Sequence, residues 1–478
     1  MLKLLNKQSI NILWQEDKGY YSQFIYGRTY KSLSPKSETL GEAFCVLFGI
    51  AENERSQKVI ENTPMVPFGA ACVYPQIPQI PPYHNNGIWP FVQAFWNISA
   101  AKQLNYSALE HGLASFYRPA AMFLTNKENF VAENGDFQGT EINSDRQLWS
   151  VAANMAMVYR VLLGMNFQKE GIALKPVVPE AYGDKIRVTN FKYRNATLDF
   201  EINGYGNKIK TIAIDGEEQK DAFVPGNLTG NHTVVIELNS SIKNKGEFKL
   251  VENKFAPATP IVKEDKESDK IAIGWDNILE VQKYAILKNG EEVDNIANEK
   301  DKTRFFFTID ALSALEEYQV KAIDENNSFL SEPIAKATSY SIEAEEFAPV
   351  SKLPYQGYEG KGFVELTKEK NTRVEMTFEA ETEGKYVIDA RYSNGSGPYN
   401  TDNKCAIRTL SINNRTIGVI VMPQIGKDEW SNFGYSNSWE VELKKGSNTI
   451  VLSFEDYNEN MNGEVNTAML DGIRLRKL

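Results

Sequence analysis

Residues 148–164, LWSVAANMAMVYRVLLG, and residues 196–204, ATLDFEING, put two different periods into one chain. In the first, Leu148, Val151, Ala152, Met155, Val158 and Leu162 recur at the 3.6-residue spacing of a helix. Ser144 and Asp145 precede it as N-cap candidates and Gly164 follows as a C′ residue. In the second, Ala196, Leu198, Phe200 and Ile202 alternate ahead of an Asn203-Gly204 turn, the period of a half-buried strand. The change of period marks a boundary near residue 168: upstream reads as helix and loop, downstream as strand.

Working upstream, Leu40, Ala43, Phe44, Leu47 and Phe48 form one more helical stripe, and Leu109, Leu113, Phe116, Tyr117, Ala120 and Leu124 another. With the segments around 2–13, 53–61 and 89–103, the reading is about six helices over residues 1–168. The loop from Pro64 to Pro90 is long and rich in aromatic residues and proline, a type that tends to carry function. Working downstream, residues 169–240 read as a small antiparallel sheet. The composition thins into Lys, Glu, Asn and Pro after Asn239, so 241–256 reads as a linker. Ile271, Ile273, Trp275, Tyr284, Ile286, an Asn289-Gly290 turn, Tyr318, Val320 and Ala322 mark a second β-module over 257–340. Tyr386, Ile388, Ala390 and Tyr392, then Ile450, Leu452 and Phe454, mark a third over 341–478. The expected fold class is multidomain, with an all-α part followed by three β-sandwich or jelly-roll modules.

The chain has 478 residues, 42% of them hydrophobic and 11% aromatic, which excludes a disordered protein. Its 52 Lys+Arg against 63 Asp+Glu give a net charge of −11 without a basic block, which argues against a nucleic-acid partner. Cys45, Cys72 and Cys405 lie far apart without CxxC spacing, so neither a zinc site nor a disulfide framework is expected. No apolar run reaches the ~18–20 residues of a membrane span, and the polar residues after Met1 do not read as a signal-peptide core.

Two loops could carry chemistry. Pro81-Pro82-Tyr83-His84-Asn85-Asn86-Gly87-Ile88-Trp89-Pro90 sets an imidazole, two carboxamides and an indole beside a helix start. Aromatic faces stack on sugar C–H groups while amides and imidazole bond hydroxyls; the competing reading is a packed turn whose His and Trp are core. The loop from Asn126 through Glu128, Glu133, Asp136 and Glu141 to Arg146 offers carboxylates, two of which a glycoside hydrolase needs; the competing reading is a solvated acidic loop.

In order and type, YHNNGIWP, then ENF with a following NG, then RQLWSVA and a small β-domain resemble the C-terminal half of six-hairpin, (α/α)6-barrel glycoside hydrolases. The nearest groups are the mannosylglycerate-hydrolase-like enzymes, family 63 and the debranching glucosidases, with α-L-rhamnosidases more distant. The resemblance implies sugar contacts at Tyr83, His84, Asn85, Trp89 and Trp149, and a general base at Glu128. Phe130 stands where those families carry Tyr, Asn86 is an extra residue, and the gap before Trp149 is long, so Glu133 is a second candidate base. The families' general acid lies in the first half of the barrel, so the resemblance implies a truncated reading frame or one half of a split protein.

Further on, Glu343-Ala344-Glu345, Arg391-Tyr392-Ser393-Asn394-Gly395, Trp430, Gly446-x-Asn448-Thr449-Ile450 and Asn466 with Leu470-Asp471-Gly472-Ile473 resemble a carbohydrate-binding module of family 6 or 35. The resemblance implies a β-jelly roll with a structural calcium whose ligands map to Glu343, Glu345 and Asp471, hard-cation oxygen donors. For sugar contact the candidates are Tyr399, Trp430 and Asn466, with Tyr358, Tyr392 and Tyr435 as competing aromatics. Residues 257–340 resemble a fibronectin type III domain and read as a spacer. The functional expectation is an inverting, exo-acting glycosidase on an oligosaccharide or polysaccharide, with no catalytic cofactor, in the periplasm, on the cell surface or secreted. The alternative is a non-catalytic sugar-binding protein that lacks the general acid.

Overall fold

The computed structural model describes residues 11–27, 29–267, 270–309, 314–324, 328–398 and 402–478. The described chain is mostly strand. Its α-helices span Thr39–Leu47, Glu54–Asn62, Pro90–Lys102, Tyr106–Phe123 and Leu148–Ala156, the last running on as a π-helix over Met157–Leu162. Two-residue strand pairs interrupt them from Trp14–Gln15 onward, so this part is not all-α and these helices do not close an (α/α)6 barrel. Of the expected helix over 2–13, all but the end lies outside the described residues. Among those residues no helix is long and apolar enough to cross a membrane.

Local signals explain three of the helix starts. Pro90 occupies the first turn, where its missing N–H costs nothing. The Asn105 side chain accepts the Ala108 N–H at 3.0 Å. The helix from Leu148 is capped by Gln147 rather than by Ser144 or Asp145, and it ends ahead of Gly164 at φ +60°. Its buried face consists of Ser150, Ala153, Met157 and Val161. The first half of the apolar stripe read from sequence is turned outward, with Leu148 79% and Met155 48% exposed, while Leu162 at its end is buried in the core.

The opposite faces of these helices share one core with the next sheet: Trp96, Leu109, Leu113 and Met157 belong to the same cluster as Leu198, Phe200, Ile202, Val234 and Ile236. That five-stranded sheet contains the expected alternating strand, Ala196–Asn203. It pairs antiparallel with Lys185–Tyr193 but parallel with Gly230–Leu238, so the sheet is mixed rather than antiparallel. The stretch expected to be a linker, 241–256, is a strap laid back along the helical layer. Met65 and Val251 exchange backbone bonds with Lys249 and Met65, and Gln76 and Ala256 do the same with Lys254 and Gln76.

Two sandwiches follow. The first sets the sheet Lys263–Glu267, Lys270–Asp276, Arg304–Thr308 against one built on Lys283–Lys288 and Glu316–Ile323, around Trp275, Tyr284, Phe305 and Tyr318. It is not a free spacer. Tyr26 packs with Ala285, Leu287 and Leu330, Glu317 accepts the Tyr30 N–H at 3.2 Å, and the Leu315 N–H reaches the Lys477 carbonyl at 2.6 Å. The second packs a six-stranded sheet centred on Gly384–Ser393 and Ala468–Lys477 against a four-stranded one of Arg373–Ala380, Gly446–Ser453, Ala406–Ile412 and Arg415–Met422. Arg373–Ala380 alternates strictly between exposed and buried, as one face on a core requires. The first strand, Ser339–Glu343, pairs with the last.

Candidate functional site

Four short strands form a ladder through the helical layer. Ser37–Glu38 pairs with Val73–Tyr74. The preceding Cys72 donates to the Gly87 carbonyl at 2.9 Å, and Gly87–Ile88 pairs with Phe130–Val131. The loop 81–90 therefore lies between the segment carrying Glu38 and the one carrying Glu128. Gly87 is required: a Cβ there would stand 1.8 Å from the Tyr83 carbonyl oxygen.

Tyr83, His84 and Trp89 come together as expected, with ring centroids 4.7 Å apart for Tyr83 and His84 and 4.9 Å for His84 and Trp89. Trp149 meets Trp89 edge-on at 5.7 Å and Phe91 at 5.3 Å. Trp89 is 2% exposed, with its indole N–H on the Tyr83 carbonyl, so it is the floor of the cluster rather than a sugar platform. Trp149, 45% exposed, presents the open aromatic surface. Asn85 is not a sugar contact. It is buried and its amide is taken up by the Ile77 N–H at 2.6 Å and the Ile77 and Ile80 carbonyls. Behind it, Asn253 of the strap bonds Asn86 and Gln76 at 2.9 Å each.

Glu128, 6% exposed, lies at the edge of this cluster. The Ser144 hydroxyl donates to its Oε2 at 2.8 Å and the Tyr83 hydroxyl reaches its Oε1 at 3.5 Å. Loss of solvent and the Glu128 carboxylate hold the Tyr83 hydroxyl above its ordinary range. Glu133 is exposed on the turn after Phe130–Val131. Sequence reasoning treated Ser144 only as a helix cap.

In the C-terminal sandwich, Trp430 is half-buried and stacked on Tyr355, with centroids 5.6 Å apart at 14°. On another side it lies against Gly395, where a Cβ would come within 2.8 Å of the ring. Asn466 is a core residue, not a sugar contact. It is 2% exposed, and its Oδ1 accepts Ile407 N–H at 2.9 Å and Arg408 at 2.6 Å. Tyr399 lies outside the described residues. Of the competing aromatics, Tyr392 is core, and Tyr435 lies beneath the Arg474 guanidinium at 3.5 Å.

Among the described residues no group of three or more His, Cys, Asp or Glu has metal-holding geometry. Glu343 ends its strand, whereas Glu345 sits in the 3-10 turn that follows. The two still converge over Gly360, where a Cβ would stand 2.8 Å from Glu343 Oε2 and 2.5 Å from Glu345 Oε1. Both side chains keep a buried Oε2 without a hydrogen-bond partner. Burial, then the Glu345 and Asp471 carboxylates, push the Glu343 carboxyl up. Asp471 is instead ion-paired with Arg391 and accepts the Glu359 N–H at 3.1 Å. Of the three expected ligands, then, only Glu343 and Glu345 converge, and Asp471 is engaged with Arg391.

No family model matches the chain. Over 123 residues it is 31% identical to the cycloisomaltooligosaccharide glucanotransferase of Niallia circulans, a match covering 26% of this chain and 11% of that protein. The chain thus spans about a tenth of the length of that curated relative. Among solved structures, the family 35 carbohydrate-binding module of Cellvibrio japonicus Abf62 aligns at 17% identity and TM-score 0.22, over 29% of this chain and 92% of the module. A family 35 module from Clostridium thermocellum aligns at 18% and 0.23, over 29% of this chain and 98% of the module. A Paenibacillus cycloisomaltooligosaccharide glucanotransferase aligns at 23% and 0.24, over 29% of this chain and 18% of that one.

Proposed function

We propose that the protein hydrolyses glycosidic bonds at the Tyr83–Glu128 cluster and binds carbohydrate through its C-terminal sandwich. The observation that carries the reading is a buried carboxylate, Glu128, held by two hydroxyls beside an open indole, Trp149. The Trp149 face takes the apolar side of a sugar ring, and His84, exposed at the rim, bonds a hydroxyl. Glu128 accepts a proton from the attacking water, and the hydroxyls of Ser144 and Tyr83 fix which carboxylate lone pair faces it. The similarity over 123 residues to a protein named as a glucanotransferase supports a glucan-handling context, and a location where polysaccharide occurs, outside the cytoplasm, goes with it.

In the C-terminal sandwich the stacked pair Tyr355 and Trp430 supplies the aromatic edge for weak sugar binding. Glu343 and Glu345 would hold a calcium ion there, whose charge would relieve their mutual repulsion. The test is turnover of a sugar panel by wild type, Glu128→Gln and Glu133→Gln. Loss in the first variant alone supports the reading, and unchanged activity in Glu128→Gln refutes it. A second reading, sugar binding without hydrolysis, is favoured if the wild-type chain binds the panel but turns none of it over.

A further inference from the structure

We infer that a crevice at the seam between the helical layer and the five-stranded sheet is a separate binding site for a neutral saccharide. The inference stands on that crevice and not on the hydrolytic reading. Its volume of about 400 Å³ lies inside the ~300–1,000 Å³ range of small-ligand sites. The helix Glu54–Asn62, the turn after Pro90–Lys102, the sheet loop at Asn207 and the start of the strap meet around it. They are pinned to one another. The Ser107 N–H reaches the Lys245 carbonyl at 2.9 Å, the Asn105 amide the Glu247 carbonyl at 2.7 Å, and the Asn239 N–H the Lys208 carbonyl at 3.0 Å. Gly246 permits the approach, since a Cβ there would stand 2.6 Å from Asn105 Cγ. The walls are therefore set before a ligand arrives, and little ordering cost remains for binding.

The chemistry of the lining selects the ligand class. Gln57, Gln103, Asn207 and Asn239 contribute carboxamides, and among the described residues none of these side chains has a hydrogen-bond partner. A carboxamide both donates and accepts, the match for a row of hydroxyls that do the same. The lining charges, Glu61 against Lys208 and Lys243, are of both signs and select no ion. Two further residues point to a ligand. Tyr106 lines the crevice at 4% exposure, and its hydroxyl is buried without a hydrogen-bond partner, a group that costs stability until something bonds it. Leu104 lines it at φ +55°, the left-handed position after a helix where glycine is the ordinary residue, and is 41% exposed. It gives the apolar wall on which the C–H face of a sugar ring can lie. A notch filled only by water is the competing account.

The crevice is not an extension of the Tyr83–Glu128 cluster. The helix Tyr106–Phe123 starts at the crevice, and Phe123 at its far end stacks on Phe130 at 6.0 Å, two residues beyond Glu128. Its 18 residues span ~27 Å, too far for one sugar ring to touch both places. A polysaccharide held at both would stay with the protein longer than one held at either.

The test is hydrogen–deuterium exchange, read peptide by peptide, on full chains that all carry Glu128→Gln so that bound sugar persists. The probes are maltotriose, isomaltotriose, cellotriose and mannotriose. With at least one of them, peptides covering 103–108 and 239–247 should slow by about threefold or more. Asn207→Ala combined with Asn239→Ala should abolish the slowing. So should Leu104→Gly, which relieves the left-handed backbone and therefore keeps the fold. Tyr106→Phe removes only the hydroxyl, so it should melt no lower than its parent yet bind about two- to tenfold more weakly. No slowing with any trisaccharide, or the same slowing in every variant, overturns the inference in favour of a notch filled by water. Neither outcome depends on turnover, which the sugar panel reports separately.

Discussion

Glu42 has one oxygen on the Tyr21 N–H at 2.8 Å and the other, Oε2, buried without a hydrogen-bond partner. Burial pushes this carboxyl well above the ordinary carboxylate range. A raised folded value means the folded state holds the proton more tightly than the unfolded chain does. The stability it contributes is full below the unfolded value of about 4.3 and is lost as pH rises through the folded one. Glu42→Gln keeps the shape and removes the titration, so its melting temperature should pull ahead of wild type as pH rises above that unfolded value. A constant difference between the two from pH 4 to 8 would contradict this. The same scale explains which site residues were legible in the sequence. That Tyr83, His84 and Glu128 meet could be expected from their types and order alone. Asn85 and Asn466 could not be sorted, because a carboxamide that serves a sugar and one that satisfies buried backbone look alike until its partners are known.

At the scale of elements, the helices over 39–47 and 106–123 and the strand over 196–203 followed from periodicity, since each sets an apolar face on a core, and the helix from Leu148 followed from the same spacing although much of its stripe faces outward. Periodicity does not say which neighbour covers a face. That is why the outward stripe of Leu148 and Met155 and the parallel pairing of Ala196–Asn203 with Gly230–Leu238 escaped the reading. The strap over 241–256 escaped for the opposite reason: its few apolar residues matter less than its backbone, which bonds to Met65, Gln76 and Ser107. Backbone amides held this way open only with the element they bind. The Val251 and Ala256 N–H groups should therefore exchange with deuterium within about tenfold of the Met65 and Gln76 N–H groups that the strap accepts in turn. Exchange as fast as in an unstructured peptide would show a free linker.

For the whole molecule, the expectation of several modules holds in coarse form, and the sandwiches are visible in the alternation of their strands, but the modules are joined more closely than composition suggested. The buried carboxylate of Glu317 receives the backbone of the hairpin at Thr29 and Tyr30, and Leu315 is bonded to Lys477 on the last strand. A cation at Glu343 and Glu345 should then stabilise the chain by linkage, by about 2.7 kcal/mol at a concentration a hundredfold above its dissociation constant. The sign follows from Glu343, whose raised value makes the metal-free protein lose stability as pH rises above the ordinary carboxylate range. Calcium at pH 7 should raise the melting temperature of wild type and leave Glu345→Gln unmoved. Equal response of the two, or none, would remove the ion from the account.

The central claim is that the cluster around Glu128 activates water against a glycosidic bond, and the anomeric form of the first product reports on it directly. Proton NMR of the fresh reaction of the full chain with the best glycoside of the panel should show the configuration opposite to the substrate's before mutarotation, with no product from Glu128→Gln. A first product of retained configuration, or product formed as fast by Glu128→Gln as by wild type, would contradict the account.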